Sequence, residues 1–180
     1  MKLLLHMCCG PCSAYPIKRL RDMGYEPTGY FFNPNIHPYK EFKHRLETAI
    51  EFAEKVQLPI TVDREYTLEA FLMSALNAPN GRCIVCYELR LRQAAKFAKE
   101  NGYEVFTTSL LVSPYQNHEV ITATAKRIAE EENIKFLYED FRTGWYEGVD
   151  ISKNLELYRQ PYCGCIFSER DRYYKKKNKK

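Results

Sequence analysis

The sequence predicts a single α/β domain: a mostly parallel five-stranded sheet with helices on both faces and a cysteine-bearing C-terminal cap. Three observations predict it. Short apolar runs alternate with helical stretches of a dozen residues or more, the pattern of right-handed βαβ units. The 180 residues suit one domain with one good core and no staples. Cysteines sit where strands give way to helices, which is the ligand edge of an open parallel sheet.

Taken in order, residues 2–7 carry Leu3, Leu4 and Leu5 as a buried first strand. Ser13 is expected to cap a helix reaching about Met23, with Ala14, Ile17 and Leu20 facing the core, Pro16 tolerated in the first turn and Gly24 as the stop. Pro27 to Phe32 reads as the second strand, ending in the turn-rich stretch from Asn33 to Pro38. From Tyr39 to about Val56, Phe42, Leu46, Ala49, Ile50 and Ala53 form one apolar stripe of a strong helix. Ile60, Thr61 and Val62 make the third strand. A helix from Thr67 to Leu76 and another from Cys83 to Glu100 follow, separated by the loop Asn77 to Gly81. Val105 to Ser109 is the fourth strand, Leu110 to Asn117 a loop, His118 to Glu132 a helix, and Lys135 to Tyr138 the fifth strand.

The alternation then stops. Phe141 to Gly148 reads as a loop, Ile151 to Tyr158 as a short helix, and Tyr162 to Cys165 as a turn before a final helix. The expected organisation is a core over 1–140, a cap over 141–174 and a basic tail over 175–180, with no internal repeat or linker.

Composition narrows the function classes. Aliphatic and aromatic residues make up 45% and charged residues 28%, ordinary for a soluble globular chain. No apolar run approaches the roughly 20 residues that span a bilayer, and the opening segment is too short for a signal-peptide core. A cytoplasmic protein without membrane partners is expected. The net charge of +4 is a tail property, because Lys175, Lys176, Lys177, Lys179 and Lys180 alone contribute +5. Such a run is either a solvated terminus or an electrostatic arm for phosphate backbones.

Seven cysteines without an export signal argue against a disulfide framework and for metal or redox chemistry. Cys8, Cys9 and Cys12 lie at the first strand-to-helix junction, where a helix N-terminus favours thiolate. Alone, Cys9-Gly10-Pro11-Cys12 is a thioredoxin-type dithiol sequence, but it would leave five cysteines without a role. With Cys83 and Cys86 it could complete a four-thiolate site for zinc or an iron-sulfur cluster, structural or working. Cys163 and Cys165, two apart, can close only a small strained ring on oxidation, the labile kind, or bind a second metal ion.

The stretches Leu5 to Ser13, Arg82 to Leu91, Thr107 to Glu119 and Leu157 to Ile166, taken together and in that order, resemble the cobalamin-independent epoxyqueuosine reductases of the QueH type. The resemblance covers essentially the whole chain. It implies reduction of the epoxide of epoxyqueuosine at the tRNA wobble position, and the α/β/α architecture of PP-loop and HUP-type tRNA-modifying enzymes. It also implies a [4Fe-4S] cluster with a further iron and no cobalamin. Carried over by motif, Cys8, Cys9, Cys83 and Cys86 are the cluster ligands and Cys163 with Cys165 the redox-active pair, while Cys12 has no assigned role. A site iron would accept a hard oxygen ligand, for which Asp140 is the candidate; its alternative is to cap a turn or pair with Arg142. Tyr115, Gln116, Asn117 and His118 are candidates for holding an unstacked base, with Trp145 and Tyr146 on the cap. Arg159 and the lysine tail are candidates for phosphates, and an electron donor remains unidentified. Functions of other classes that the cysteines alone leave open are a zinc-stabilised RNA-binding module and a dithiol oxidoreductase.

Overall fold

The computed structural model describes residues 1–174; the lysine tail lies outside the described residues. Five strands form one sheet: β1 (Lys2–His6), β2 (Glu26–Phe31), β3 (Ile60–Val62), β4 (Val105–Thr108) and β5 (Lys135–Phe136). Their order is β3-β2-β1-β4-β5 and every pairing is parallel. The expected fold class is therefore the observed one. Leu3, Leu4 and Leu5 are each fully buried, because a central strand covered on both faces has no solvent side and reads as a continuous apolar run.

Around the sheet run α1 (Gly10–Asp22), α2 (Tyr39–Lys55), α3 (Leu68–Leu76), α4 (Arg82–Glu100), α5 (His118–Glu132), α6 (Trp145–Asn154) and α7 (Ile166–Tyr173). From β1 the right-handed crossovers step outward through β2 to β3, then return to β4 and step outward the other way to β5. That handedness puts α1 and α2 on one face and α4 and α5 on the other. The reversal falls between β1 and β4, so the crevice beyond their carboxyl ends is the topological switch point, where open α/β sheets bind ligands. His6 pins this end. Its Nδ1 lies 2.9 Å from Thr108 Oγ1 and its Nε2 3.1 Å from the Phe32 carbonyl. A carbonyl only accepts, so Nε2 carries the proton, and burial pushes the ring's pKa down to about 4.

Three local expectations are corrected. First, α1 begins at Gly10, capped by the Cys9 sulfur, which accepts from Cys12 N at 3.2 Å. Ser13 instead donates to the Cys9 carbonyl. Pro16 consequently lies inside the helix and leaves the Cys12 carbonyl without its helical donor. Second, β4 ends at Thr108 and not at Ser109, and Ser109–Val112 winds into a 3₁₀ turn at the start of the expected loop, because the Thr108 hydroxyl accepts from Leu110 N. Third, the cap's helix is Trp145–Asn154, entered through a 3₁₀ turn at Phe141–Gly144, and not Ile151 to Tyr158.

The third correction has a packing cause. Gly144 and Gly148 look like turn residues in sequence, yet they let α6 lie against Tyr15 of α1. A Cβ at Gly144 would fall 2.1 Å from the Tyr15 ring, and one at Gly148 would fall 3.2 Å from Tyr15 Cβ. Gly144→Ala is accordingly expected to destabilise the chain by about 1–3 kcal/mol, the range for overpacking, read as a lower urea midpoint with unchanged slope. Among the described residues no helix is long and apolar enough to cross a membrane.

Candidate metal and redox site

The loop after β1 carries the first thiols. Cys8 N donates to Ser109 Oγ at 3.0 Å, and that hydroxyl lies 3.3 Å from Cys8 Sγ. Ser109 follows β4, so these bonds stitch the two central loops across the switch point. The sulfurs of Cys8, Cys9 and Cys12 all lie within 4.8 Å of one another, close enough to hold one metal ion. Gln160 Nε2 sits 3.1 Å from both Cys9 Sγ and Cys12 Sγ. Hydrogen bonds from Cys12 and Cys9 hold the Cys8 thiol well below the usual range, while burial pushes Cys9 well above it. A metal binding there would displace the protons of these thiols.

A second group gathers around the first turn of α4. Cys83 is exposed and Cys86 is buried, its pKa raised to about 12 by desolvation. Arg90 Nη2 lies 3.1 Å from Cys86 Sγ. Cys165 caps α7 through its sulfur, which accepts from Ser168 N at 3.4 Å, and packs with Phe71, Ala75 and Cys86. Cys163 is exposed; Gln116 Nε2 lies 3.1 Å from its sulfur. Tyr87 OH donates to Gln116 Oε1 at 2.6 Å, which turns the amide nitrogen toward Cys163.

The turn bearing Cys163 and Cys165 is clamped rather than loosely appended. Arg45, 2% exposed, donates to the Cys163 carbonyl at 2.8 Å and the Tyr162 carbonyl at 2.9 Å, and pairs with Glu41 at 2.6 Å. Tyr158 OH donates to the other Glu41 oxygen at 2.8 Å. His37 N donates to the Gly164 carbonyl at 2.8 Å, and His37 Nδ1 accepts from Ile166 N at 3.2 Å. Gly164 has φ +156°, and a Cβ there would come 3.0 Å from Asn35 Nδ2. Only glycine suits that position.

The remaining expected site residues fall around this edge. Asp140 engages Arg142 at 2.7 and 2.8 Å and accepts from Arg142 N at 3.1 Å, so its carboxylate has the turn-capping, ion-paired geometry of the alternative. Tyr115 is 87% exposed and meets Trp145 edge-on, centroids 5.9 Å apart. Asn117 caps α5 through Val120 N. His118 Nε2 lies 3.1 Å from Tyr138 OH. Cys12, without a role in sequence, is brought beside Cys8 and Cys9. Residues that sequence reasoning missed are Gln160, Ser109, Arg90 and Arg45; Gln160 and Arg45 act across more than 100 positions and leave no local signal.

The donor set suits a thiolate-bound metal. All seven cysteines are free, and N–H or O–H groups of Ser109, Gln160, Arg90 and Gln116 face the sulfurs of Cys8, Cys9, Cys12, Cys86 and Cys163. Such donors stabilise thiolate ligands and tune the metals they hold.

Fold and site together define a doubly wound parallel α/β protein with a thiol-rich centre at its switch point. Its fold is similar to that of a predicted subunit of tRNA methyltransferase from Methanocaldococcus jannaschii, at TM-score 0.58 and 14% identity over 86% of this chain and 76% of that one. The sequence profile described as "Epoxyqueuosine reductase QueH" matches residues 3–171, and the chain belongs to that family. It is 37% identical over 174 residues to Epoxyqueuosine reductase QueH of Dehalococcoides mccartyi, covering 97% of this chain and 96% of that one. The protein of the same name from Acinetobacter baylyi is 39% identical over 94% of this chain and 81% of its own length. That from Thermotoga maritima is 35% identical over 92% and 89%. The family resemblance read from the four motifs is thus borne out.

Proposed function

We propose that the chain reduces epoxyqueuosine in tRNA to queuosine at its cysteine-lined sheet edge. Membership of the epoxyqueuosine reductase family over nearly the whole chain is the observation that carries this reading. The reaction breaks both C–O bonds of the epoxide, forms a C=C bond, consumes two electrons and two protons and releases water. A tRNA substrate sets the enzyme's work in the cytoplasm.

On this reading Cys8, Cys9 and Cys12 are primary thiolate donors, and Cys83 and Cys86 are the ligands that the family pattern adds. When bound there, a [4Fe-4S] cluster with a further iron supplies electrons and Lewis acidity. Cys163 and Cys165 are the redox-active pair: closing to a disulfide, they release the two electrons and two protons that the deoxygenation consumes. An external electron donor then restores the dithiol. Gln116, oriented by Tyr87, stabilises the Cys163 sulfur as it ionises. Asp140 would have to leave Arg142 to serve as an oxygen ligand.

The substrate base must leave the anticodon stack to reach these thiols. Tyr115 and Tyr146, 87% and 82% exposed, offer rings on which neighbouring bases stack at about 1–3 kcal/mol each. Gln116, Asn117 and His118 supply hydrogen-bonding groups beside them, and Arg159 offers a positive charge for phosphate.

The test is nucleoside mass spectrometry of epoxyqueuosine-containing tRNA incubated anaerobically with iron-reconstituted protein and a reductant. Queuosine is expected to appear as epoxyqueuosine disappears. Unchanged epoxyqueuosine with protein that holds iron and sulfide would overturn the assignment.

A further inference from the structure

Arg90 is 2% exposed, and among the described residues its side chain has no carboxylate partner. The arginines in ion pairs are Arg19, Arg45, Arg82, Arg92, Arg127, Arg142 and Arg170. The contrast within α4 is sharp. Arg92, two residues on and facing outward, meets Glu88, Glu131 and Glu132. Arg90 instead donates from Nε to the Cys86 carbonyl at 3.2 Å and from Nη2 to Cys86 Sγ at 3.1 Å, with its Cζ 5.8 Å from the Tyr87 ring centroid.

A buried guanidinium without a counter-charge costs several kcal/mol, so a chain that keeps one there needs negative charge nearby. The group it meets is the Cys86 thiol, one of the ligands the family pattern supplies, whose ionised form provides that charge.

We infer that Arg90 is a positioning residue, the fixed counter-charge of the thiolate centre, holding Cys86 in its ligand orientation and raising the centre's reduction potential. The inference rests on the thiolate-bound centre of the proposed function. Its physical basis is general: a positive charge and N–H···S bonds stabilise the more negative, reduced state of a thiolate-bound metal centre. Arg90 would thereby help the centre take up electrons from its donor.

The test compares Arg90→Lys, Arg90→Gln and Arg90→Met with wild type in the full chain, reconstituted anaerobically with iron and sulfide. Three quantities are read: iron retained against a chelator, the midpoint potential of the visible spectrum, and melting of the metal-free chain. Arg90→Gln and Arg90→Met should lose about 10- to 100-fold in metal affinity and shift the potential downward. Arg90→Lys, which keeps the charge, should restore most of the potential. The metal-free Arg90→Met chain should melt no lower than wild type, because methionine removes a buried charge without opening a cavity. Arg90→Gln with wild-type iron retention and potential would overturn the inference. So would Arg90→Met and Arg90→Lys that lower melting and iron in parallel, the mark of a purely structural residue. Should Arg90→Met fail to fold, the Lys and Gln pair decides. Wild type that retains no iron overturns the proposed centre and this inference together, whereas iron-bearing wild type with unchanged variants overturns this inference alone.

Discussion

Serine in place of Cys9 is expected to prevent the chain from holding the proposed metal centre and to abolish epoxide reduction while leaving the fold in place. Cys9 is 2% exposed and sits within 4.8 Å of the Cys8 and Cys12 sulfurs. A serine hydroxyl does not ionise near neutral pH and is a harder, poorer donor to iron than thiolate. Metal affinity should fall by more than the roughly 100-fold seen for residues one shell further out, and turnover should fall with it. The fold survives for a specific reason. Cys9 caps α1 through its side chain, and serine is among the best N-cap residues. Iron and sulfide analysis beside a thermal melt of the metal-free chain checks both halves. Retained iron in Cys9→Ser would remove Cys9 from the ligand set.

Arg45→Met is the second large effect, acting on stability first and activity through it. The substitution leaves Glu41 without its buried partner and deprives the Cys163 and Tyr162 carbonyls of their donors. Removing one member of a buried ion pair typically costs about 3–5 kcal/mol. The turn carrying Cys163 and Cys165 should come loose from α2, so Cys163 and Cys165 should react faster with a thiol-alkylating reagent, located by peptide mass spectrometry. On the proposed function turnover should also fall where the chain still folds, since the turn that carries Cys163 and Cys165 has lost its clamp. Arg45→Met with wild-type stability and alkylation rates would show that the turn is held by other contacts.

The frame of the fold was legible in the sequence because periodicity is a local signal. Leu3, Leu4 and Leu5 announced a strand buried on both faces, and the stripe Phe42, Leu46, Ala49 and Ala53 announced the core side of α2. The errors were at ends and contacts. A sulfur cap at Cys9 is outside the usual set of capping side chains, so Ser13 drew the helix start four residues too late. Gly144 and Gly148 read as breakers because their close approach to Tyr15 depends on a helix far away in sequence. The thiol clusters stood out in the sequence, but the place of Cys12 among them did not. Cys12 joins Cys8 and Cys9 because α1 turns its first residues back over the loop, and Gln160 reaches the same sulfurs from 148 residues away. Arg90 carried no signal of its own in the sequence; its sulfur and carbonyl partners are visible only in the fold.

The most direct test of the central claim, that the cysteine edge is where the epoxide is reduced, is a single-turnover experiment. Reconstituted protein is reduced anaerobically, freed of reductant and mixed with excess epoxyqueuosine tRNA, and the queuosine formed per chain is counted by nucleoside mass spectrometry. Loaded wild type should form queuosine up to the reducing equivalents it carries, and chelator-stripped chain or Cys163→Ser should form little or none. Equal conversion by the stripped chain, or by a chain lacking Cys9 and Cys163, would contradict the account.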